Sequence, residues 1–402
     1  MTHAADAGGD RPVLRLKPKA DPRRVRRGAP WVYLSDLVAD RRARAIPAGA
    51  VATLEDAERR PLATVAVNMG SKIAARVLDH DPAARIDAAW IDARIAAAAA
   101  RRARAYDAPF HRLIHAEADG MPGVIVDRFA EIAVLQPNAA WAARMEEEIA
   151  DALVRRGMTC VLRNAAGRAR GLEGLDDASA VLRGAAPEGP VRVPMNGATY
   201  MADLLGGQKT GLYYDQRENH AMAARLARGA VLDVFCHVGG FALAMLAAGA
   251  ERAVCVDGSA PALDLARAGA AATGVGDRLE TRRGDAFAAM TALAAEGARF
   301  DTVACDPPAF APARGALEAG LRAYERVALL AAPLVAPGGV LVLCSCSHAV
   351  DLAAFRTASL RGIGRAGRRG RIVHTGFAGP DHPVHPHLAE SGYLKALFLG
   401  LD

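Results

Sequence analysis

Residues 230–241 read Ala-Val-Leu-Asp-Val-Phe-Cys-His-Val-Gly-Gly-Phe, and this stretch decides the fold of the chain. An apolar run that ends near Asp233 and is followed by Gly239 and Gly240 is typical of a buried strand, a tight turn and the start of a helix. Glycines at such a turn let the backbone approach a ligand closely. The spacing is not the three-glycine pattern of dinucleotide-binding proteins, so the motif disfavours NAD.

Apolar strand-like runs alternate with helical stretches around this motif. The alternation predicts a parallel sheet with helices on both faces, which is an α/β fold. In such sheets a ligand lies beyond the carboxyl ends of the strands, so we expect the chemistry just after each strand. The predicted strands are 230–235, 253–256, 279–282, 300–305 and 340–345, and the predicted helices are 241–248, 260–271, 286–295 and 317–334.

Acidic residues follow the next two strands. Asp257 ends the second strand, where a carboxylate suits ribose hydroxyls. Asp285 follows the third strand, where a carboxylate can accept the amino protons of adenine. Either residue alone is as typical of a helix cap or a turn. Together with the glycine turn they predict a ligand that contains adenosine and lacks a pyrophosphate.

The fourth strand ends in Asp306-Pro307-Pro308-Ala309-Phe310. Proline lacks an N–H group and fixes the backbone, so the carbonyl groups of this loop face outward as acceptors. With Asp306 they form a surface suited to a planar base that carries an exocyclic amine, and Phe310 could stack on that base. The alternative is a rigid turn that only ends a strand.

Cysteines dominate the end of the fifth strand. Strand alternation puts Cys344, Cys346 and His348 on one face. A metal site is one interpretation, but no other cluster offers a convincing fourth ligand, so no metal is expected. We expect Cys344 to be a buried thiol, whereas Cys346 lies nearer the ligand, where a thiolate can act as a nucleophile.

Upstream of the α/β region the chain has a different character. Short apolar runs separated by turn residues, from Leu14 to about Leu78, predict a small β-rich module. A mixed α and β region follows, including a helix from Asp87 to Tyr106 and a helix with apolar residues from Trp141 to Leu153. The predicted domains are residues 1–80, 81–192 and 193–402.

Composition and charge narrow the function classes. The 402 residues are 52 % hydrophobic and 23 % charged, which is typical of globular proteins and excludes global disorder. The net charge of +6 is compatible with nucleic acid without requiring it. Basic residues cluster from Arg11 to Arg27 and again from Arg356 to Arg371, and each cluster is either a phosphate-binding surface or a solvated one.

The sequence shows no export or membrane signal. Residues 1–10 are polar, and the long uncharged run from Val327 to Val350 is interrupted by prolines and glycines. The 6 cysteines are few for the length of the chain and lie mostly in apolar runs, as is usual for reduced thiols. We therefore expect a cytoplasmic protein without a membrane partner.

The motifs together resemble a known family. Asp233 with its glycine turn, Asp257, Gly284-Asp285, Asp306-Pro307-Pro308 and Ser345-Cys346-Ser347 resemble the motif series of class I S-adenosylmethionine-dependent methyltransferases. The run from Gly207 to Arg217 is similar to that of bacterial 23S ribosomal RNA cytosine-C5 methyltransferases with an N-terminal PUA domain. Also similar are the segments Glu117–Gly123, Glu390–Lys395 and Gly28–Tyr33, so the resemblance spans nearly the whole chain.

This resemblance implies a Rossmann-like methyltransferase domain, preceded by a PUA-like RNA-binding domain and an α+β middle domain. The cofactor it implies is S-adenosyl-L-methionine, and the partner is large-subunit ribosomal RNA with an unpaired or flipped cytosine as target. A homodimer is one assembly compatible with this interpretation. Cys346 would add to C6 of the cytosine and Asp306 would hold its N3/N4 edge, in a mechanism with one cysteine and an unidentified base or water as proton acceptor.

The expected site residues follow from the strand-end motifs and from the same resemblance. The expected cofactor-binding residues are Asp233, Phe235, Gly239, Gly240, Asp257, Asp285, Asp306, Tyr214 and Gln216. The expected substrate-binding residues are Pro307, Pro308, Phe310, Lys209, Arg217, Arg24, Arg26 and Arg27. Two alternatives remain open: an RNA methyltransferase that uses the Asp-Pro-Pro-Ala-Phe motif to modify a base nitrogen, and a non-catalytic RNA-binding factor in ribosome assembly.

Overall fold

The computed structural model describes residues 11–206 and 211–402. The chain divides into two compact units. The first extends to Ala186 and includes Pro383–Leu388, and the second comprises Pro187–His382 and Ala389–Asp402. Within the described ranges, every helix is too short or too polar to span a membrane.

The first sheet confirms the small β-rich module. Its strand order is β1-β3-β4-β5-β2, with β1 parallel to β3 and the other neighbours antiparallel. Inward-facing residues such as Leu14, Leu54 and Val65 are buried and form its core. Asp21 and Pro22 begin helix α1, because the Asp21 carboxylate accepts the amide N–H of Arg23. The elements are β1 (Val13–Arg15), α1 (Pro22–Arg26), β2 (Trp31–Tyr33), α2 (Arg41–Arg44), β3 (Val51–Glu55), β4 (Pro61–Val67) and β5 (Ile73–Asp79).

The second sheet belongs to the same unit and has the order β10-β9-β8-β7-β6. The helix predicted from Trp141 to Leu153 is two helices that meet at Met145, whose φ is −110°. Glu146, Glu147 and Glu148 follow Met145, and negative charge in a first turn favours a new helix start. The elements are α3 (Ala88–Arg102), β6 (Phe110–His115), β7 (Val124–Phe129), β8 (Ile132–Pro137), α4 (Ala140–Arg144), α5 (Glu146–Arg155), β9 (Cys160–Arg163), α6 (Arg168–Leu172) and β10 (Ala180–Arg183).

The second unit is built on the predicted parallel sheet. Its order is β15-β14-β13-β16-β17-β19-β18. In the described sheet β19 is antiparallel to both β17 and β18, and the other neighbouring pairs are parallel. A hairpin of β11 and β12 precedes the sheet. The strands are β11 (Val191–Met195), β12 (Ala198–Ala202), β13 (Ala230–Val234), β14 (Arg252–Asp257), β15 (Leu279–Arg283), β16 (Phe300–Cys305), β17 (Val335–Ser345), β18 (Gly370–Gly376) and β19 (Lys395–Leu401).

Helices cover both faces of this sheet, as the alternation of strands and helices predicts, and the fold is Rossmann-like. The central strands are buried on both faces, with Leu232, Val303 and Leu341 fully buried. The helix predicted over 317–334 ends at Ala331, and Pro333 lies in a following 3₁₀ turn because proline cannot continue an α-helix. The helices are α7 (Arg217–Leu226), α8 (Gly240–Ala247), α9 (Ala260–Thr273), α10 (Ala286–Ala295), α11 (Leu317–Ala331) and α12 (Leu352–Arg365).

Candidate active site

A cavity of about 480 Å³ opens at the carboxyl ends of β13, β14, β16 and β17. This is the edge of the sheet where the strand-end motifs were expected to meet. Four carboxylates, one half-buried cysteine and several aromatic rings line it. The lining comprises Leu212, Tyr213, Asp215, Gln216, His220, Asp233, Phe235, Cys236, His237, Val238, Gly240, Phe241, Asp257, Ser259, Asp306, Pro307, Pro308, Ala309, Cys346, Tyr393 and Leu394.

The glycine turn forms one wall of the cavity through an unusual backbone path. Phe235, His237 and Gly239 have φ angles of 61°, 50° and 82°. Positive φ costs energy for residues other than glycine and is concentrated at functional sites. The turn ends where Gly239 and Gly240 both donate their amide N–H groups to the carbonyl of Cys236. Helix α8 then begins at the cavity wall.

Asp233 anchors this helix from the end of β13. Its Oδ2 accepts the amide N–H groups of Phe241 at 3.1 Å and Ala242 at 2.9 Å. The side chain is fully buried, and burial raises the pKa of Asp233 to about 8. Its other oxygen, Oδ1, has no hydrogen-bond partner among the described residues. A buried carboxylate oxygen that lines a cavity without a partner is suited to accept hydrogen bonds from a bound ligand.

Asp257 is held at the end of β14 by two backbone groups. Its Oδ2 accepts the amide N–H of His237 at 2.9 Å, and its Oδ1 accepts that of Ser259 at 2.8 Å. Each carboxylate oxygen has a further lone pair for a ligand hydroxyl. The two bonds fix the carboxylate at the cavity wall, in the arrangement expected for ribose recognition.

Two further polar residues of this wall were missed by the sequence analysis. Asp215 is buried, accepts a hydrogen bond from the Tyr393 hydroxyl at 2.6 Å through Oδ2, and has no described partner for Oδ1. His220 is buried against the Phe241 ring, with ring centroids 4.5 Å apart, and its Nδ1 also lacks a partner among the described residues. Burial lowers the pKa of His220 to about 3, so the ring is neutral.

Gln216 was predicted from the sequence and lies in the same wall. Its Oε1 accepts a hydrogen bond from the Asn219 side chain at 2.7 Å, which orients the amide. Tyr213, three positions earlier, packs edge-on against His237 with ring centroids 5.0 Å apart. Burial, followed by the charges of Asp215, Asp306, Cys346 and Asp257, raises the pKa of Tyr213 to about 12. The phenol therefore stays protonated among the acidic groups of the cavity.

The opposite wall brings together the motifs of the fourth and fifth strands. Asp306 is half-buried, and its amide N–H bonds to the Val234 carbonyl at 3.2 Å, which ties the Asp-Pro-Pro loop to β13. Cys346 follows β17, and its Sγ lies 3.9 Å from the Pro307 carbonyl oxygen. Cys346 is half-buried, whereas the other cysteines are buried: Cys160, Cys236, Cys255, Cys305 and Cys344.

Several predicted site residues lie outside the cavity lining. Asp285 is exposed and caps α10 by accepting the amide N–H of Ala288 at 2.9 Å, so its role toward adenine stays a prediction. The Phe310 ring packs against Tyr324, with centroids 5.0 Å apart. Stacking of Phe310 on a base stays a prediction and would require a rearrangement of that contact.

The remaining predicted residues have these positions. Arg217 and Tyr214 are buried, and the guanidinium of Arg217 lies over the Tyr214 ring at 5.4 Å. Gly239 shapes the turn without lining the cavity. Lys209 lies outside the described residues. Arg24, Arg26 and Arg27 belong to the first unit and are exposed.

The two arginine clusters differ in their environments. In the second cluster, Arg361 and Arg365 both pair with Glu325, and Arg368 donates to carbonyl groups that include Val335 at 2.7 Å. These three arginines therefore have intramolecular partners in the described chain. In the first cluster Arg26 pairs with the buried Asp56, whereas Arg24 and Arg27 are exposed side chains that form no ion pair within the described chain.

The arrangement of the cavity fits S-adenosyl-L-methionine. The partner-less acceptors Asp233 Oδ1 and Asp215 Oδ1 suit the methionyl ammonium group, which donates hydrogen bonds and carries positive charge. Asp257 suits the ribose hydroxyls. The acidic side chains of Asp215, Asp257 and Asp306 in the lining also favour the positive charge of a sulfonium. The cavity lies at the strand ends where the sequence predicts the ligand, and binding of the ligand there stays a prediction.

Comparisons with known proteins agree with this fit. Residues 14–80 match the family described as PUA-like domain, and residues 167–362 match the family described as S-adenosylmethionine-dependent methyltransferase. The chain is 35 % identical to a "Ribosomal RNA large subunit methyltransferase" of Deinococcus radiodurans, over 97 % of this chain and 98 % of the relative. It is 32 % identical to the "Ribosomal RNA large subunit methyltransferase I" of Shewanella denitrificans, over 96 % of this chain and 98 % of the relative.

Solved structures show the same fold. A protein from Streptococcus mutans, provisionally assigned as an S-adenosylmethionine-dependent methyltransferase, superposes with a TM-score of 0.79 at 17 % identity and covers 97 % of this chain and 100 % of its own. A provisionally assigned methyltransferase in complex with S-adenosylhomocysteine superposes with a TM-score of 0.81 at 16 % identity and with the same coverage. The cofactor is S-adenosyl-L-methionine. The chain belongs to the family of S-adenosylmethionine-dependent methyltransferases with an N-terminal PUA-like domain, which includes the relatives named ribosomal RNA large subunit methyltransferases.

Proposed function

We propose that this methyltransferase forms 5-methylcytosine in large-subunit ribosomal RNA through a covalent adduct between Cys346 and the target base. The observation that carries the proposal is the position of Cys346. Among cysteines that are otherwise buried, this half-buried thiol lines the cavity beside the Asp306-Pro307-Pro308 loop. The relatives named as methyltransferases of large-subunit ribosomal RNA supply the substrate class.

A nucleophilic thiol solves the chemical difficulty of the reaction. Cytosine C5 is a poor nucleophile, but addition of the Cys346 thiolate to C6 makes the electron pair of the 5,6 double bond available at C5. C5 would then take the methyl group from the sulfonium of S-adenosyl-L-methionine, with S-adenosylhomocysteine as the leaving group, and a base or water would remove the C5 proton. The bond between Sγ and C6 finally breaks, which restores the double bond and the thiolate.

Other residues of the cavity would hold the reactants. S-Adenosyl-L-methionine supplies an electrophilic methyl group, and Asp215, Asp233 and Asp257 would hold it. Asp306 would bind the N3/N4 edge of the cytosine, supported by the outward carbonyl groups of the proline loop. Lys209 and Arg217 remain proposed RNA contacts from the similarity of their motif. The cavity admits a base only when it is unpaired or flipped out of a helix.

The proposal also covers partners and compartment. Arg24 and Arg27 of the PUA-like domain would bind phosphates, because an exposed guanidinium can donate two hydrogen bonds to one phosphate. A nucleophilic thiol works in a reducing compartment, so we expect the enzyme in the cytoplasm.

Val373 on the edge strand β18 and the nearby Phe377 are exposed and suit contact with a second copy. Light scattering tests this homodimer, and a monomer mass at working concentration would contradict it.

A trapping experiment tests the covalent step. Ribosomal RNA fragments transcribed with 5-fluorocytidine cannot lose a proton from C5, so the adduct should accumulate and survive denaturing electrophoresis. We expect this adduct in the wild type and in Cys344→Ala, a matched control at a buried cysteine two positions away. Cys346→Ala should give no adduct and no methyl transfer. Methyl transfer that survives in Cys346→Ala would exclude the mechanism.

The second candidate is methylation of a base nitrogen, which the acceptor surface of Asp306, Pro307 and Pro308 also suits. In that reaction Cys346 would be a bystander. Chromatography coupled to mass spectrometry of nucleosides from ribosomal RNA of cells that lack the gene separates the candidates, because 5-methylcytidine and N-methylated nucleosides elute at different times even where their masses are equal. Binding of S-adenosylhomocysteine, measured by calorimetry, tests the non-catalytic alternative.

A further inference from the structure

Lys395 lies next to Cys346 in the fold although it is distant in sequence. It begins β19 and pairs with Ser345, the last residue of β17, in the antiparallel register. Its side chain is buried, with 4 % exposure. The ammonium group donates to the carbonyl oxygens of Ser347 at 2.8 Å and Val350 at 2.6 Å. The lysine therefore reaches into the turn that directly follows Cys346.

This buried lysine lacks the usual charge partner. Both acceptors of its ammonium in the described chain are neutral carbonyl groups, although a buried charge is normally paired with an opposite one. Burial lowers the pKa of Lys395, and the charges of Cys346 and Asp351 raise it. Asp351 is exposed and caps α12 by accepting the amide N–H of Ala354. Cys346 is thus the group that can supply negative charge near the buried cation.

Cys346 in turn needs a cation to ionise. The titratable groups near it on other elements of the described chain include Tyr213, Tyr324, Cys344 and Lys395, and Asp306 lies across the cavity on the adjoining loop. The phenols and the buried thiol are neutral, and the Asp306 carboxylate opposes a second negative charge. Among the described lining residues of the cavity there is no lysine or arginine. Lys395, behind the wall, is a positive charge close to Cys346 in the described chain.

We propose that Lys395 is a positioning residue that holds the turn after Cys346 and stabilises the thiolate form of Cys346. The proposal rests on the proposed role of Cys346 as nucleophile. The thiolate fraction of Cys346 can be measured on the free enzyme, so the test of this proposal does not require RNA. A failure of the methylation mechanism and a failure of this proposal are therefore distinguishable.

The test is the pH dependence of Cys346 alkylation by iodoacetamide, measured on the intact chain by peptide mass spectrometry. Only the thiolate reacts, so the rate follows the fraction of ionised thiol. We expect Lys395→Gln, which keeps N–H donors but removes the charge, to shift the midpoint upward by about one pH unit, which is about a tenfold slower reaction at pH 7. Lys395→Met should shift it in the same direction.

Two matched variants separate charge from structure. Tyr324→Phe removes a hydrogen bond between the phenol and Ser347 Oγ in the same turn, at 2.7 Å, without changing charge, so the midpoint should stay in place. Lys395→Arg keeps the charge and should also retain the midpoint, and Cys346→Ser gives the background rate. An unchanged midpoint in a folded Lys395→Gln overturns the proposal. A shift as large in Tyr324→Phe, or loss of fold in both uncharged variants, overturns it as well.

Discussion

His220 shows how the environment of one residue fixes its chemistry at the cavity. The ring is 4 % exposed, packs against Phe241 and has a pKa lowered to about 3 by burial. Protonation would place a positive charge in a buried position, so the folded protein binds this proton much less readily than the unfolded chain. His220 is therefore a neutral part of the cavity wall at physiological pH, and its protonation is coupled to unfolding.

This coupling predicts the acid stability of the second unit. Between pH 6.5 and pH 3 the unfolded chain binds a proton that folded His220 rejects, so stability from this group is present above pH 6.5 and is lost as the pH falls toward 3. The contribution is about 1 kcal/mol per pH unit. In His220→Gln we expect the free energy of unfolding to fall less steeply as the pH is lowered from 6.5 to 3. Urea unfolding followed by circular dichroism measures this slope. Tryptophan fluorescence would report the first unit instead, because Trp31, Trp90 and Trp141 all lie there.

An equal pH slope in the wild type and in His220→Gln would contradict the assignment. His374→Gln is the matched control, since His374 lies on the edge strand β18 and is partly exposed. That variant should keep the pH slope of the wild type.

The glycine turn between β13 and α8 is the element that shapes one wall of the cavity. Its backbone has positive φ at Phe235, His237 and Gly239, and Asp233 closes it by accepting amide hydrogens from the first turn of α8. At Gly240 the requirement is space rather than backbone freedom. A Cβ atom there would lie 2.7 Å from the ring atoms Cε1 and Nε2 of His220, which is itself packed and cannot withdraw easily.

Gly240→Ala should therefore lower stability and weaken S-adenosylhomocysteine binding together. Insertion of a methyl group into this packed wall costs about 1–3 kcal/mol. Thermal unfolding followed by circular dichroism and binding calorimetry measure the two effects. Gly284→Ala is the control, because Gly284 follows a strand of the same sheet and a Cβ there meets no atom within 4 Å. If both variants bind equally well, the wall is more adaptable than the packing indicates.

At the scale of the whole molecule, charge is distributed unequally between structural and exposed positions. Arg361 and Arg365 neutralise Glu325, and a direct hydrogen bond from the Arg365 guanidinium is the main reason that the pKa of Glu325 is lowered. Arg24 and Arg27 remain exposed on the PUA-like domain. The net charge of +6 is therefore a poor guide to RNA contacts, whereas the environments of individual arginines discriminate between them.

Reversal of the exposed pair tests the RNA contact. We expect Arg24→Glu with Arg27→Glu to weaken binding of ribosomal RNA and to reduce the slope of log affinity against log salt, because fewer counterions are released. Arg26 is left intact, since a carboxylate there would oppose the buried Asp56. Filter binding over a series of salt concentrations measures both quantities.

The control carries the same charge change in another place. Arg252→Glu with Arg299→Glu alters exposed arginines at the amino ends of β14 and β16, the edge of the sheet opposite to the cavity. An equal loss of RNA binding in both double variants would mean that binding depends on net charge alone, and it would contradict a specific contact at Arg24 and Arg27.

The sequence predicted the cavity residues that lie at the ends of strands. It missed the cavity residues that are brought there by contacts between distant parts of the chain. Asp233, Asp257, Asp306 and Cys346 were found because parallel strands align their carboxyl ends at one edge. The contact between Tyr393 and Asp215 joins positions 178 residues apart, and no local pattern indicates it. Asp285 shows the converse, since a carboxylate after a strand caps a helix as readily as it faces a ligand.

The position of β19 has a consequence for biosynthesis. This strand lies between β17 and β18, yet it is synthesised after both of them and after every other strand of the described sheet. Until it has been translated, β17 presents an unpaired edge and the turn beyond Cys346 lacks Lys395. Cys346 therefore emerges from the ribosome before the strand that completes its surroundings. Methyl transfer is thus expected only after Lys395–Leu401 has been synthesised and has paired with β17.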